Sequence, residues 1–193
     1  MDECVSIVIV NYNGKNFIEG LLSSLSDQSI QNFEVIFVDN ASTDNSAKIL
    51  KKLLKEKFSN LKVKIILNKK NLGYCAGNNV GLKYAKGNYV VFLNNDTYLH
   101  PNWLNELVKV LNEHPLIGAC QSKLLSLTTA DVQNVGNVCD KYGLSTWGPR
   151  PRECNQNNLL VNTFFYPSGA SFIIRNKIII PGCPIQLGRQ ARS

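Results

Sequence analysis

Four short runs of β-branched and aromatic residues, VSIVIV (Val5 to Val10), FEVIFVD (Phe33 to Asp39), VKIILN (Val63 to Asn68) and YVVFLN, alternate with stretches of helical spacing. That alternation is the strongest constraint on the fold, because strands separated by helices pair in parallel and use the helices as crossovers. Strands buried on both faces read as continuous apolar runs, which suits VSIVIV. Between the strands, Phe17, Leu21, Leu22 and Leu25 give one helix an inner face, and Ile49, Leu50, Leu53, Leu54 and Phe58 give a second. The spacing predicts a shorter third helix around 77–86 and a fourth after Pro101, with Trp103, Leu104, Leu107, Val108 and Leu111 inward. IGACQSKLL (Ile117 to Leu125) reads as a fifth strand, and 159–175 as two strand-like runs broken at Pro167, Ser168 and Gly169. Residues 126–158 have little periodicity and read as a lid or insertion.

A length of 193 residues with 44% hydrophobic content suits one domain with a substantial core. Apolar runs fall short of the roughly 20 residues that span a bilayer, and no basic leader precedes the first strand. A cytoplasmic location is the expectation, with peripheral association at the inner membrane face left open. Six cysteines are scattered without a C-x-x-C pair, so free, mostly buried thiols are expected. The net charge of +7 does not choose a partner, and the lysines around 48–57 read as one solvated helix face. Nucleic acid is not the expected partner, because no aromatic-basic interleaving or recognition motif accompanies the charge.

In an open parallel sheet, ligands bind at the carboxyl ends of the strands, near the point where strand order reverses. Here the polar residues gather at those ends. The first strand exits into Asn11, Tyr12, Asn13 and Gly14, the second into Asp39, Asn40 and Ala41, the third into Asn68 to Asn71, and the fourth into Asn94, Asn95 and Asp96. One such exit is ordinary turn chemistry. Four in succession point to a site. Neither G-x-G-x-x-G nor G-x-x-x-x-G-K-[ST] occurs, which argues against dinucleotides and P-loop nucleotides. A tyrosine that can stack on a base, a carboxylate for ribose or base and another for a divalent cation together suit a nucleotide diphosphate bound with metal. His100 and His114 read as helix-boundary residues rather than ligands.

The segments VSIVIVNYNGKNFIEGLLSSL, FEVIFVDNASTDNSAKIL, NLGYCAGNNVGLKYAKGNYVVFLNNDTYLHPNWL and SGASFIIR resemble, in order, the family 2 glycosyltransferases, particularly their rhamnosyltransferase-like branch. The resemblance implies the GT-A fold, a three-layer α/β/α sandwich with a mostly parallel central sheet. It also implies inverting transfer of a sugar from a UDP-, dTDP- or GDP-sugar to a saccharide or lipid-linked acceptor in cell-surface polysaccharide synthesis. By that resemblance the donor is held by Asn11, Tyr12, Asn13, Asp39, Asn71, Gly73, Gly77, Asn79, Asn94 and Asn95, and Asp96 binds Mg²⁺ or Mn²⁺. Asn94 to Asp96 match the family's D-x-D position but keep only the last aspartate. Gly81 joins Gly73 and Gly77 as a place where backbone could approach the ligand.

The family's general base is an acidic residue downstream of the SGA segment, yet no Asp, Glu or His follows Glu153 here. Asp131, Asp140 and Glu153 remain as substitutes. The expectation is a donor-binding domain over residues 1–175, truncated at its C-terminus, with 176–193 an atypical tail that looks foreign or frame-shifted. Two rival readings stay open: a donor-binding fragment or pseudoenzyme without the base, and, more weakly, a sugar-phosphate nucleotidyltransferase. Homodimerisation is left open.

Overall fold

The computed structural model describes residues 4–129, 131–134, 137–139, 145–147 and 170–179. Strand β1 (Val5–Asn11) is buried along its whole length and forms the centre of the sheet. It pairs in parallel with β2 (Phe33–Asp39) on one side and β4 (Tyr89–Asn94) on the other, while β3 (Val63–Leu67) extends the sheet beyond β2. The register places Asn11 beside Asp39, and Val10 beside both Val38 and Asn94. Strand β5 (Ala119–Gln121) lies beyond β10 (Ser171–Arg175), which runs antiparallel to both β4 and β5. The six strands take the order β3-β2-β1-β4-β10-β5, so strand order reverses between β1 and β4.

Side chains alternate across the sheet, as the two-residue period of a strand requires. Val5, Ile7, Ile9, Phe37 and Val91 meet helices α1 (Ile18–Ser26), α2 (Ser46–Glu56) and α4 (Trp103–Glu113) through Leu21, Leu22, Leu25, Leu50, Leu104 and Leu111. On the opposite face Val8, Val10, Ile36, Val38, Val90 and Phe92 meet α3 (Gly73–Leu82), with Val80 and Leu82 packed against them. Phe172 of β10 stacks on Phe92 with ring centroids 5.1 Å apart. These are three layers, as expected.

Helix α3 begins four residues before the expected 77–86 and ends four residues earlier. Its inner face is built from glycine and small residues rather than leucines. A Cβ on Gly81 would stand 2.4 Å from Val8 Cγ1, and one on Gly77 2.8 Å from Val10 Cγ1. The helix therefore lies closer to the sheet than side chains would allow, and apolar spacing carries little trace of it.

The expected fifth strand is split. Only β5 joins the main sheet, and β6 (Leu124–Leu125) turns away to pair with β7 (Val132–Asn134). A further antiparallel pair joins β8 (Asn137–Cys139) to β9 (Ser145–Trp147), so short pairs occupy the described parts of the expected lid. The break at 167–169 and the strand-like run before it lie outside the described residues, as do Asp140 and Glu153. After β10, a 3-10 turn (Asn176–Ile178) docks back, Asn176 donating from its backbone to Asn88 O at 2.8 Å and from its side chain to Gly87 O at 2.8 Å.

His100 and His114 fall at the start and end of α4, as expected: the Asn102 amide donates to His100 Nδ1, and His114 follows the last helical residue. Cys4, Cys75 and Cys120 are half-buried rather than buried. Burial pushes the Cys120 thiol up to about 12, which makes it unreactive.

Candidate functional site

The parallel order of β3, β2, β1 and β4 brings their four polar exits to one edge of the sheet, at its switch point. Asn11, fully buried, is the hub of the first cluster. Its Nδ2 donates to Asp39 Oδ1 and to Ser42 Oγ, both at 3.1 Å, and its Oδ1 accepts from Asn95 Nδ2 at 2.7 Å. One side chain thus ties the exit of β2 to the exit of β4 across the switch point. Asp39 is 5% exposed, and its Oδ2 accepts from the Ser42 amide at 3.1 Å. A carboxylate has about four lone-pair sites, so Asp39 keeps acceptor capacity for a ligand.

Local backbone geometry supports this cluster. Asn13 adopts φ 53°, and its Oδ1 accepts from the Thr43 amide at 2.8 Å while its own amide donates to Ser42 Oγ at 3.0 Å. Asn tolerates this left-handed conformation well. Ala41, at φ 62°, does not, and strain of this kind costs on the order of 1–3 kcal/mol and collects at functional sites. Gly14 is required for a different reason: a Cβ there would lie 2.1 Å from Asn95 Nδ2 and 2.5 Å from Asn11 Oδ1, between the two partners of that hydrogen bond.

The loop after Ala41 then starts α2 with Asp44 rather than with a side chain at the N-cap. Asn45 holds that position at φ 68° without a side-chain cap, while Asp44 accepts from the Ser46 amide, the Ser46 hydroxyl and the Lys15 amide. Desolvation alone would raise the Asp44 carboxyl, but these hydrogen bonds outweigh it and hold the group below its ordinary value.

Asn40, 1% exposed, organises a second cluster beside the first. Its Nδ2 donates to Asn71 Oδ1 at 2.9 Å and to Gly73 O at 3.1 Å, and its Oδ1 accepts from Asn68 Nδ2 at 2.9 Å and the Leu72 amide at 3.2 Å. Asn71 Oδ1 also takes the Gly73 amide at 2.8 Å. Gly73, at φ 79°, has open space where a side chain would project, so its freedom serves the turn into α3.

The remaining expected residues divide between rim and interior. Tyr12 is 50% exposed, Asp96 is exposed in the turn after β4, and Asn94 and Asn95 are half-buried. Asp96 is close enough for its charge to act on Tyr74, whose hydroxyl burial above all, then the Cys75 and Asp96 charges, pushes up to about 12 against the opposing Asn78 hydrogen bond. Asn79 is half-buried on α3. Gly77 faces Val10 and Asn40 rather than solvent. Gly14 and Asn40, expected at the strand exits but not as donor-binding residues, join these clusters together with Ser42, and Tyr74 lies near Asp96. Polar residues directly after a buried strand signal Asn40 and Ser42; the glycine in NYNGK signals Gly14.

Among the described residues, no group of three or more His, Cys, Asp or Glu side chains is arranged to hold a metal. A single exposed carboxylate at Asp96 beside half-buried amide oxygens fits an ion that takes most of its ligands from phosphates and water, as Mg²⁺ does.

The family model described as glycosyl transferase family 2 matches residues 6–179, every strand of the main sheet except the first residue of β1 included. The chain belongs to that family. An uncharacterised glycosyltransferase of Haemophilus influenzae is 30% identical over 139 residues, covering 71% of this chain and 42% of the relative. Two solved structures share the GT-A fold. The mannosyltransferase PcManGT from Pyrobaculum calidifontis, in complex with GDP-Man and Mn²⁺, superposes with a TM-score of 0.59 at 25% identity, over 65% of this chain and 36% of that one. Staphylococcus aureus TarS 1–349 in complex with UDP-GlcNAc gives 0.52 at 31% identity, over 63% and 33%. The family 2 chain described here thus spans less than half the length of these relatives.

Proposed function

We propose that this family 2 domain binds a nucleotide diphosphate sugar at the switch-point edge and serves inverting transfer of the sugar to a saccharide or lipid-linked acceptor in cell-surface polysaccharide synthesis. The observation that carries the reading is the Asn11 hub, which locks a nucleoside-side carboxylate, Asp39, to the Asn95–Asp96 turn. It is supported by similar proteins: PcManGT is bound to GDP-Man and Mn²⁺, and TarS, a poly(ribitol-phosphate) beta-N-acetylglucosaminyltransferase, to UDP-GlcNAc.

On this reading the exposed Tyr12 ring stacks on the base and Asp39 accepts hydrogen bonds from base or ribose. Asn13 shapes the loop that closes beside them, and Asn71 and Gly73 line the pocket with the α3 N-terminus. Gly77 and Asn79 stand behind that wall. Asp96 holds Mg²⁺ or Mn²⁺, with Asn94 supplying a neutral oxygen and Asn95 fixed by Asn11. An ion held there would supply positive charge to the diphosphate leaving group. Tyr74 stays protonated at neutral pH and so can only donate or accept a neutral hydrogen bond.

The carboxylate count favours a second reading. On this reading the span 1–175 binds donor, and the family's acidic base is not among the residues of this sequence that follow Glu153. General-base loss costs about 10²- to 10⁴-fold in rate. Two measurements on one preparation test both readings: calorimetric donor binding, and sugar transfer to rhamnose- or hexosamine-terminated acceptors. Binding with little transfer supports the donor-binding domain. Robust turnover refutes the missing-base argument and directs attention to Asp131, Asp140 or Glu153, and absence of binding to UDP, dTDP and GDP with metal refutes the donor site.

A further inference from the structure

The connection that carries Asp96 is long, yet it is held at both ends. It runs over residues 95–102, eight residues between β4 and α4, where such connections usually take about two to six. Asp96 is exposed within it, so the backbone of the connection decides where that carboxylate stands. At the near end the Asn94 amide donates to Ala170 O at 2.9 Å, Asn95 Nδ2 to Asn11 Oδ1 at 2.7 Å, and Thr97 Oγ1 back to Asn94 O at 2.9 Å. Further on, the Tyr98 ring rests on α1 over Gly20, where a Cβ would come within 2.6 Å of Tyr98 Cε1.

Two side chains hold the far end. Gln28, which follows α1, is 4% exposed, an unusual place for a glutamine, and both its amide nitrogen and its oxygen are engaged. Its Nε2 donates to His100 O at 3.0 Å and Ser24 O at 2.9 Å, and its Oε1 accepts from the Leu104 amide at 3.1 Å. That last bond caps α4 from outside, because Asn102 at the N-cap supplies no side-chain bond. Beside it the Ser29 amide donates to Pro101 O at 2.8 Å. Trp103, the first residue of α4, donates from Nε1 to Ser122 Oγ at 2.7 Å and to Ser171 Oγ at 3.2 Å, and the two hydroxyls lie 2.7 Å apart. The two ends of the connection are thus fastened to adjacent residues, Ala170 and Ser171, at the start of β10.

Leu104, Leu107 and Leu111 already bury α4 in the core. What Gln28 and Trp103 add is a fixed path for the residues that precede the helix. Because Asn94 brings no charge to the β4 exit, the placement of the single carboxylate there governs how well a cation is held.

We propose that Gln28 and Trp103 are positioning residues for Asp96, holding the 95–102 connection so that its carboxylate stands where a divalent cation can join it to a diphosphate. This role rests on the donor site proposed above. Side chains that orient a metal ligand typically account for about 10- to 100-fold in metal affinity.

Trp103→Phe keeps an aromatic ring and removes the N–H, and Gln28→Met keeps the length and removes the hydrogen bonds. Phe33→Leu, buried at the opposite end of the sheet, controls for lost stability. Hydrogen exchange of the free chain over 94–104 needs no ligand; it should quicken in Trp103→Phe and Gln28→Met and stay close to the parent rate in Phe33→Leu. Calorimetry then measures whichever of UDP, dTDP and GDP the parent binds, with and without Mn²⁺. The affinity gained from Mn²⁺ should fall about 10-fold in both variants while the metal-free affinity is unchanged. Phe33→Leu should melt earlier yet keep the parent's gain. Should the two variants fail to fold, Ser122→Ala, which removes one acceptor at a half-buried position, reads the same loss in milder form. Unchanged exchange or an unchanged gain from Mn²⁺ in the folded variants would overturn the proposal, as would an equal loss of that gain in Phe33→Leu. A parent chain without Mn²⁺-dependent binding would refute the donor reading and, with it, this role; quickened exchange in the variants would separate that outcome from side chains that hold nothing.

Discussion

Replacing Asn11 by alanine should destabilise this domain more than any other single change in the polar edge. Asn11 is fully buried and takes part in three side-chain hydrogen bonds, to Asp39, to Ser42 and from Asn95. A neutral hydrogen bond contributes about 1 kcal/mol net, and one to a charged group about 1.5–3. Ser42 and Asn95 are half-buried and can turn to water, whereas Asp39 is 5% exposed and cannot do so freely. The Asp39 bond therefore dominates the loss, and Asn11→Ala should cost about 3 kcal/mol. Asn95→Ala removes only one of the three bonds, from a half-buried residue, and should cost about 1 kcal/mol. Urea denaturation followed by far-ultraviolet circular dichroism measures both as midpoint shifts at constant slope. Equal losses for the two variants, or a loss below about 1 kcal/mol for Asn11→Ala, would refute the view of Asn11 as the hub.

Asp39→Ala should weaken binding of a nucleotide far more than binding of pyrophosphate; equal weakening of both by calorimetry would remove Asp39 from nucleoside recognition. Gly81→Ala should lower stability by about 1–2 kcal/mol, because overpacking against buried Val8 and Val38 outweighs the roughly 1 kcal/mol that alanine gains in a helix. Gly77→Ala, with its nearest contact at 2.8 Å rather than 2.4 Å, should cost less, and the reverse order in thermal melts would contradict the helix packing described. The raised Tyr74 hydroxyl contributes stability fully present below its unfolded value near 10 and lost as pH rises through about 12. The difference in tyrosinate absorbance between the parent and Tyr74→Phe should therefore titrate near 12, and a midpoint near 10 would place Tyr74 in solvent.

How far the sequence speaks for the structure varies by element. Strands β1, β2 and β4 announce themselves as buried apolar runs that close on polar residues, and β2 and β4 end where the pattern ends, at Asp39 and Asn94. Helix α3 is displaced from its expected position because its contact with the sheet is made by missing side chains, Gly77 and Gly81, which weaken a periodic signal. The turn of β6 away from β5 is set by pairing with β7, which no local pattern records. At the site, the residue types and their strand exits are legible. Their wiring is not, since Asn11 reaches Asp39 and Asn95 across 28 and 84 residues of chain. Asn40 reads as a turn residue in sequence, and only the fold shows that it holds Asn68, Asn71 and Gly73 together.

The proposed donor site at the switch point is tested most directly by calorimetric titration of UDP, dTDP and GDP, with and without Mn²⁺, into the parent chain and Asp96→Ala. At least one nucleotide diphosphate should bind the parent in a metal-dependent manner, Asp96→Ala should abolish that metal dependence, and Asn94→Ala should cause a milder loss, because a neutral oxygen serves a hard cation less well than a carboxylate. Unchanged affinity and unchanged metal dependence in Asp96→Ala would contradict the assignment of the β4 exit to metal and diphosphate.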